Sequence, residues 1–182
     1  AAATAEAAAI AAGSGGLLFL PYLNGERTPH ADPNARGSFV GLNLTHTRGH
    51  MTRSVMEGIT FALRDSLDII ESLGVPVRQI RASGGGSKNP MWRQMQADVF
   101  GKKITTLEVE QGPAFGVALL AAVGDGAYRS IESACKETIK VADETPAERA
   151  SVKQYNQLFP IYRELYGQLK ESMAKIADYQ AS

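Results

Sequence analysis

The sequence predicts a layered α/β fold, with a sheet whose faces are covered by helices. The main observation is the order of segments, because strand-like and helix-like stretches alternate along the chain. A second observation is composition: 44% of the 182 residues are hydrophobic and 21% are charged, as is typical of globular proteins. The third is that the 18 glycines cluster, notably at 13–16, 84–86 and 124–126, where turns are expected.

The first half of the chain is predicted to contain two short strands and one long helix. The apolar run 16–23 indicates a strand or a buried extended segment, and the alternation over 38–44 predicts another strand. Between them, the Gly-, Pro- and Asn-rich segment 24–37 indicates a loop. A long helix is predicted over 47–73. Gly58, in the middle of this helix, destabilises it by about 1 kcal/mol relative to alanine. The expected compensation is the close approach of another backbone.

This helix carries apolar residues at spacings of three and four, which predict one buried stripe. The stripe comprises Val55, Ile59, Ala62, Leu63, Ser66, Ile70 and Leu73.

The second half is predicted to continue the alternation of strands and helices. The predicted strands are 77–83, 103–109 and 138–141, and the predicted helices are 89–100, 114–123, 130–136 and 146–178. Asn89 is predicted to cap its helix, with Pro90 in the first helical position. Pro160 marks a point where the last helix could break.

Charge and cysteine content exclude several classes of function. Lys and Arg total 19 and Asp and Glu total 19, so the basic excess of a phosphate-neutralising nucleic-acid binder is missing. No apolar run is long enough to span a bilayer. The single cysteine, Cys135, excludes an intrachain disulfide and a cysteine-based zinc site, and fits a reducing compartment such as the cytoplasm. The three histidines lack the H-E-x-x-H spacing of a metal site.

The strongest local signal is a strand, a Gly-Gly-Gly-Ser-Lys turn and a helix, spanning 77–100. Three successive glycines, Gly84 to Gly86, let the backbone turn tightly and approach a ligand closely. The N-terminus of the following helix suits an anion. The turn matches neither a P-loop nor the G-x-G-x-x-G dinucleotide fingerprint. A plain turn before a capped helix is an equally simple interpretation.

Two further segments are candidates for a site. Residues 110–118, from Glu110 and Gln111 onward, lead into a thin, small-residue helix. This helix could lie under a nucleotide, or it could simply pack tightly. The loop 25–37 concentrates Glu26, Arg27, a histidine and an aspartate, which makes acid–base chemistry conceivable. Charged loops are, however, commonly just solvated.

Several other polar and aromatic residues are interpreted as structural. Glu57 and Asp98 lie within predicted helices and are expected to be structural partners. Cys135 has no supporting neighbour and is expected to be inert. The aromatic residues of the last helix are expected to belong to the core.

Four segments match one protein family in order. They read GLLFLPYLNGERTPHADPNARGSFVGL, MEGITFALRDSL, ASGGGSKNPMWRQMQADVFG and EQGPAFGVALLAA. From about residue 16 onward the chain resembles the C-terminal domain of the FGGY family of carbohydrate kinases, and within it the xylulokinases. Residues 1–16 match nothing in that family and are interpreted as an Ala/Gly-rich leader or linker. Residues 17–182 are interpreted as the nucleotide-binding domain, a fragment of a two-domain kinase.

The resemblance implies an actin-like ATPase, or ribonuclease-H-like, domain with a mixed sheet and helices on both faces. It implies that ATP or ADP binds to this domain, with Gly84, Gly85, Gly86 and Ser87 facing the α-phosphate and ribose. Asn89 would reach the adenine. Gly112 and the residues after it, up to Gly116, would form the neighbouring wall.

The resemblance also implies what the rest of such a kinase supplies. The catalytic aspartate, the phosphate loop and the carboxylate that places Mg²⁺ would lie in the N-terminal kinase domain, so this chain alone would be inactive. The expected substrates are ATP and D-xylulose or a related pentulose, with neither nucleic acid nor membrane as a partner, and a homodimer is left open. Departures from the family pattern at Asn24, Phe115 and Val117 leave room for another pentulose or a polyol. A non-catalytic, actin-like nucleotide-binding module is the alternative.

Overall fold

The computed structural model describes residues 2–108 and 112–181. In chain order the helices are α1 (Ala2–Ala8), α2 (Arg48–Ser72), α3 (Pro90–Phe100), α4 (Gly112–Gly124), α5 (Ile131–Thr138) and α6 (Arg149–Ala181). The strands are β1 (Leu18–Leu20), β2 (Ser38–Val40), β3 (Ile80–Arg81), β4 (Ile104–Leu107) and β5 (Val141–Thr145). Short 3-10 turns cover Ser14–Gly16 and Gly85–Lys88. No helix in the described ranges has the length and apolarity needed to cross a bilayer.

The strands form two sheets. Strands β1 and β2 pair antiparallel, with Phe19 opposite Phe39. Strand β4 lies between β3, to which it is parallel, and β5, to which it is antiparallel. The second sheet is therefore mixed, as predicted.

The main core lies where β1, α2, α3 and α6 meet. Its centre is aromatic: Phe61 of α2 contacts Tyr155, Phe159 and Tyr162 of α6, with ring centroids 5.1–5.8 Å apart. Aromatic side chains bury large areas and prefer such tilted contacts. The prediction that the aromatic residues of the last helix belong to the core is confirmed for these residues. Helix α6 continues through Pro160 without ending there.

Gly58 is the point at which α2 and β1 approach most closely. A Cβ atom added at Gly58 would overlap the carbonyl oxygen of Phe19. The predicted close approach of another backbone is thus confirmed, and it explains why a poor helix former occupies the middle of a 25-residue helix.

The predicted buried stripe of α2 is wrong in its position around the helix. The buried residues are Gly49, Ser54, Glu57, Gly58, Thr60, Phe61 and Asp65. By contrast Leu63, Ile70 and Leu73 are 49%, 43% and 75% exposed. The helix turns its small and polar face to the core because Gly58 permits contact with β1 and because Glu57 is fully hydrogen-bonded there. The prediction used only the spacing of apolar residues, so it assigned the buried stripe to the neighbouring, more apolar face of the helix.

Glu57 ties the Ala/Gly-rich segment before β1 to the domain. Its Oε1 accepts hydrogen bonds from the Gly13 N–H at 2.9 Å, the Tyr155 hydroxyl at 2.9 Å and Arg53 Nε at 2.8 Å. Its Oε2 accepts from the Ser14 hydroxyl at 2.7 Å. The role of Glu57 as a structural partner is confirmed by these contacts. Arg53 of α2 also donates to the carbonyls of Ala7 and Ile10, so residues 7–14 lie against α2. The division of the chain at residue 16 remains a prediction.

Several predicted boundaries are wrong, among them those of β3, α5 and α4. Strand β3 pairs over two residues and not over 77–83. Helix α5 extends to Thr138, whose hydroxyl donates to the Ala134 carbonyl, so β5 begins at Val141 instead of ending there. Helix α4 begins at Gly112, two residues earlier than predicted. For β3 the extent of pairing decides the boundary, and for α5 a local hydrogen bond does; composition reveals neither.

Candidate functional site

The glycine triplet forms the turn between β3 and α3, and its first glycine is required by the backbone. Gly84 has φ 78° and ψ −169°, a conformation that is essentially restricted to glycine. The hydroxyl of Ser87 donates to the Gly84 carbonyl at 2.7 Å, and the Ser87 N–H donates to the same oxygen at 3.2 Å. These bonds close the turn, so Ser87 is buried and its hydroxyl stabilises the loop from within.

The three glycines have different surroundings. A Cβ atom added at Gly84 or Gly85 would have nothing within 4 Å. One added at Gly86 would lie 3.3 Å from the ring of Trp92. Trp92 in turn donates its Nε1–H to the Thr60 hydroxyl at 3.1 Å, which fixes α3 on α2. The loop therefore presents bare backbone at its first two glycines and packs on the protein at the third.

Asn89 caps helix α3, as predicted. Its Oδ1 accepts hydrogen bonds from the N–H groups of Met91 at 3.0 Å and Trp92 at 3.4 Å, and Pro90 follows at the first helical position. The oxygen is thus occupied by the helix N-terminus. A ligand that contacts Asn89 would have to use the two N–H donors of the amide.

A cavity of about 490 Å³ lies beside the loop, between the end of β3 and helices α4 and α5. Ala82 and Ser83, just before the glycine triplet, line it from one side, and Gly112 and Gly116 line it from the other. An added Cβ atom would have nothing within 4 Å at either of these two glycines. The end of β3, just before the glycine triplet, and the glycines of the second segment therefore line one cavity. Glu110 and Gln111 lie outside the described residues.

The cavity wall is largely apolar, with two cationic side chains among its lining residues. Leu107, Phe115, Leu119, Leu120, Ile131 and Ile139 supply apolar surface, and Cys135 lies in the same wall. Arg81 and Lys140 contribute the positive charges. This combination suits a flat apolar ring joined to an anionic group.

A shallow groove along α2 connects the glycine loop to the loop 25–37. One part, of about 380 Å³, is lined by Gly86 and Ser87, and a second of similar volume is lined by Glu26 and Arg27. Both parts share Leu63 and Ser66 of α2. Sequence analysis missed this groove because it assigned Leu63 and Ser66 to the buried stripe. A contiguous exposed apolar strip such as this one is typical of a binding surface.

The loop 25–37 is anchored on α6 by a histidine and two tyrosines. The ring of His30 stacks on Tyr166 at 3.5 Å between centroids, and the Tyr22 hydroxyl lies 3.4 Å from His30 Nε2. The Tyr166 hydroxyl donates to Asp32 Oδ2 at 2.8 Å, and this bond lowers the pKa of Asp32. Burial lowers the pKa of His30, which favours its neutral form.

These contacts separate the polar residues of the loop into two groups. His30 and Asp32 hold the loop in place, while Glu26 and Arg27 lie at the mouth of the groove. Glu26 also accepts a hydrogen bond from the Thr28 N–H at 2.9 Å, which stiffens the loop.

Within the described ranges, no group of three or more His, Cys, Asp or Glu residues has the geometry to hold a metal ion. Asp98, the other carboxylate considered, accepts from Gln94 Nε2 at 2.9 Å and from the Glu148 N–H at 2.7 Å. It therefore joins α3 to the start of α6, the structural role predicted for it.

Comparison with known proteins places the chain in a family. Residues 1–124 match the model of the FGGY family of carbohydrate kinases, C-terminal domain. The chain is 44% identical over 163 residues, 90% of its length, to a xylulose kinase of Bacillus subtilis, and 37% identical over 169 residues, 92% of its length, to a gluconokinase of the same organism. It covers 33% of each of these relatives, so the chain spans about a third of the length of the curated relatives it matches.

A solved structure agrees with this comparison. The ligand-bound xylulose kinase from Lactobacillus acidophilus superposes with a TM-score of 0.89 and 35% sequence identity, over 96% of this chain and 35% of that one. The structural neighbours are kinases of the actin-like ATPase fold, which confirms the predicted fold class.

Proposed function

The chain belongs to the FGGY family of carbohydrate kinases, and on this premise we propose that it is the ATP-binding half of a kinase that phosphorylates D-xylulose. The product is D-xylulose 5-phosphate. The observation that carries the proposal is that Ala82 and Ser83, just before the open glycines Gly84 and Gly85, line one cavity together with Gly112 and Gly116. The choice of sugar is supported by the 44% identity to a xylulose kinase, against 37% to a gluconokinase.

The nucleotide fits the cavity by its chemistry. The adenine ring would lie against the apolar wall formed by α4 and α5, and Asn89 would donate to it through its amide N–H groups. The ribose and α-phosphate would lie against the bare backbone of Gly84 and Gly85, where side chains would obstruct them. The N-terminus of α3 adds a favourable dipole for the phosphates.

The chain's own contribution to catalysis is positioning. ATP, when bound, supplies the γ-phosphoryl group, and Mg²⁺ neutralises the phosphate charge. We assign the Mg²⁺ ligands and the base that activates the sugar hydroxyl to the N-terminal kinase domain, the partner of this domain across the cleft. Glu26 and Arg27, at the far end of the α2 groove from the glycine loop, would face that cleft.

Two alternatives remain distinct from this proposal. A kinase for another pentulose, a polyol or gluconate fits the same nucleotide site, and the gluconokinase relative favours considering it. A non-catalytic, actin-like nucleotide module would bind ATP without transferring its phosphate. Its surface would have no need for the loop that carries Glu26 and Arg27 at the groove.

The test compares this chain with a two-domain kinase. Here "two-domain kinase" means the protein in which this chain replaces the matching 163-residue segment of the Bacillus subtilis xylulose kinase. ADP release is coupled to an absorbance change, with MgATP and D-xylulose, D-gluconate or glycerol as acceptor. The two-domain kinase is expected to be fastest with D-xylulose. The chain alone is expected to bind ADP weakly and to show no sugar-dependent turnover, since a positioned base alone contributes about 10²–10⁴-fold.

The outcomes separate the alternatives. A higher kcat/KM for D-gluconate would replace D-xylulose as the substrate. ADP binding without turnover on any acceptor would favour the nucleotide module. Turnover by the chain alone, at even about a hundredth of the two-domain rate, would show that the catalytic base lies within these 182 residues.

A further inference from the structure

The ring of His30 attaches the loop 25–37 to two tyrosines of the core. It stacks on the Tyr166 ring, with centroids 3.5 Å apart and planes 11° apart. The Tyr22 ring meets it edge-on at 87°, and the Tyr22 hydroxyl lies 3.4 Å from His30 Nε2. Tyr22 and Tyr166 are only 1% and 9% exposed. The imidazole is therefore docked between two aromatic side chains that are themselves fixed by packing.

The position of Glu26 and Arg27 depends on this docked ring. The Glu26 N–H donates to the Asp32 carbonyl at 2.8 Å, and the Asp32 N–H donates to the Glu26 carbonyl at 2.8 Å. The Ala31 N–H donates to the Arg27 carbonyl at 3.0 Å. These bonds close residues 26–32 into one unit, which His30 and Asp32 anchor on Tyr166 of α6. Undocking of His30 would therefore shift the whole unit.

The surroundings of His30 favour the neutral imidazole. Titratable and charged side chains reach it from the loop, from α6 and from the segment after β1. They are Glu26, Asp32, Tyr166, Arg163, Lys170 and Tyr22, with Tyr162 and Asp65 behind Tyr22. The two carboxylates of the loop favour protonation of His30 and the two cations of α6 oppose it, while burial has the largest effect and lowers the pKa of His30. A proton therefore favours the undocked, solvated ring.

We propose that His30 is a pH-sensitive positioning residue, whose neutral ring holds Glu26 and Arg27 toward the acceptor sugar and whose protonation releases them. That the acceptor is a sugar rests on the proposed function. Glu26 and Arg27 line the same end of the α2 groove, where a carboxylate can accept from hydroxyl groups and a guanidinium can donate to them. An undocked histidine has its ordinary pKa of 6.5. Docking is thus fully stabilised above this pH, and below it release becomes more favourable by up to about tenfold for each pH unit.

Hydrogen exchange tests the release of the loop without requiring turnover. In the two-domain kinase, the amides of residues 25–37 are followed by mass spectrometry at pH 7.5 and 5.5, with the amides of α3 as internal control for the intrinsic effect of pH. Relative to α3, the loop is expected to exchange at least about threefold faster at pH 5.5 than at pH 7.5. His30→Phe retains an aromatic ring but takes up no proton, so it should abolish this difference. An equal difference in His30→Phe, or none in the unsubstituted kinase, would overturn the inference.

Steady-state kinetics test the positioning role. The KM for the best acceptor of the two-domain kinase is measured over the same pH range, and the Kd for ADP at pH 7.5. The acceptor KM is expected to rise at least about threefold on acidification and to stay constant in His30→Phe. His30→Ala, which removes the stack, is expected to raise this KM about fivefold or more at pH 7.5 and to leave the Kd for ADP unchanged. His46→Phe is the matched control, because His46 hydrogen-bonds with Asn43 and Gly15, and it should retain the pH response.

The outcomes distinguish this inference from the proposed function. In an active kinase, a pH response that persists in His30→Phe, or an acceptor KM that His30→Ala leaves unchanged, would overturn the role of His30. A loss of ADP affinity in His30→Ala equal to the rise in acceptor KM would also overturn it, because the effect would then be a general loss of structure. The absence of turnover with every acceptor would instead refute the proposed function, and with it the assignment of Glu26 and Arg27 to a sugar.

Discussion

The substitution Gly85→Val tests whether the glycine loop binds the nucleotide, because it should leave the structure of the loop intact. Gly85 does not have a positive φ, and a Cβ atom at this position would meet nothing within 4 Å. Valine can therefore adopt the existing backbone, and its branched side chain would project into the space that the proposal gives to the nucleotide. We expect the free energy of unfolding to change by about 1 kcal/mol or less.

The expected loss of ADP affinity follows from the contacts that valine would prevent. A hydrogen bond between a backbone N–H and a charged phosphate contributes about 1.5–3 kcal/mol. Displacing the phosphate from one such donor corresponds to an increase in Kd of about 10- to 150-fold, at 1.4 kcal/mol for each tenfold change. Any further displacement of the ribose would add to this.

The assay is calorimetric titration of the two-domain kinase with ADP, together with thermal unfolding of each variant. Gly167→Val is the matched control, since Gly167 lies on the exposed side of α6, has no positive φ and also has nothing within 4 Å of an added Cβ atom. It should leave the Kd for ADP unchanged. An unchanged Kd in folded Gly85→Val would remove the glycine loop from the nucleotide site and refute the reasoning.

Three further predictions concern single side chains. Asn89→Asp should leave stability nearly unchanged, because aspartate also caps helices well, while the loss of its amide donors should weaken ATP binding by about 1–3 kcal/mol; equal KM values for ATP would mean that Asn89 is a cap alone. Glu57→Gln should lower the free energy of unfolding by about 3–5 kcal/mol, because it leaves Arg53, whose side chain is only 11% exposed, without its counter-charge; urea unfolding measures this, and a loss below about 1 kcal/mol would contradict it. Burial raises the pKa of Asp65 to about 6, above its ordinary value of 3.8, so the folded state binds the proton more tightly and stability should fall by about 2–3 kcal/mol as pH rises from 4 to 6. Asp65→Asn should remove that slope in unfolding experiments across the same pH range, and an identical slope in both proteins would show that another group titrates there.

Much of the local structure could be predicted because it depends on a few neighbouring residues. The cap and the first turn of α3 follow from Asn89 and Pro90 alone, and the helix runs to Phe100 as expected. The close approach at Gly58 was predictable because an unfavourable residue in a long helix requires a compensating contact. The resemblance to FGGY kinases, carried by four segments in order, extended these local predictions to the fold class.

Other features depend on contacts between residues far apart in the chain. The buried face of α2 is set by Gly13, Ser14 and Tyr155, which hydrogen-bond to Glu57 from 44, 43 and 98 residues away. The spacing of apolar residues within α2 gives no information about these partners. The prediction therefore placed in the core the apolar face that instead borders the groove. For the same reason the sequence identified the histidine and aspartate of loop 25–37 as chemically interesting, whereas the fold uses His30 and Asp32 to anchor the loop on Tyr166.

The sequence by itself determined which segments are glycine-rich, where α3 begins and which family the chain resembles, because each of these depends on residue types in a fixed local order. Only the tertiary structure decided that the residues just before Gly84 and the segment that begins at Gly112 border one cavity, and that β3 pairs, among the described strands, with β4. The length of a strand and the shape of a cavity depend on residues that are distant in the chain and adjacent in space. A residue pattern that favours a strand does not specify those neighbours. The strand predicted over 77–83 therefore appears as two residues, Ile80 and Arg81, that pair with β4.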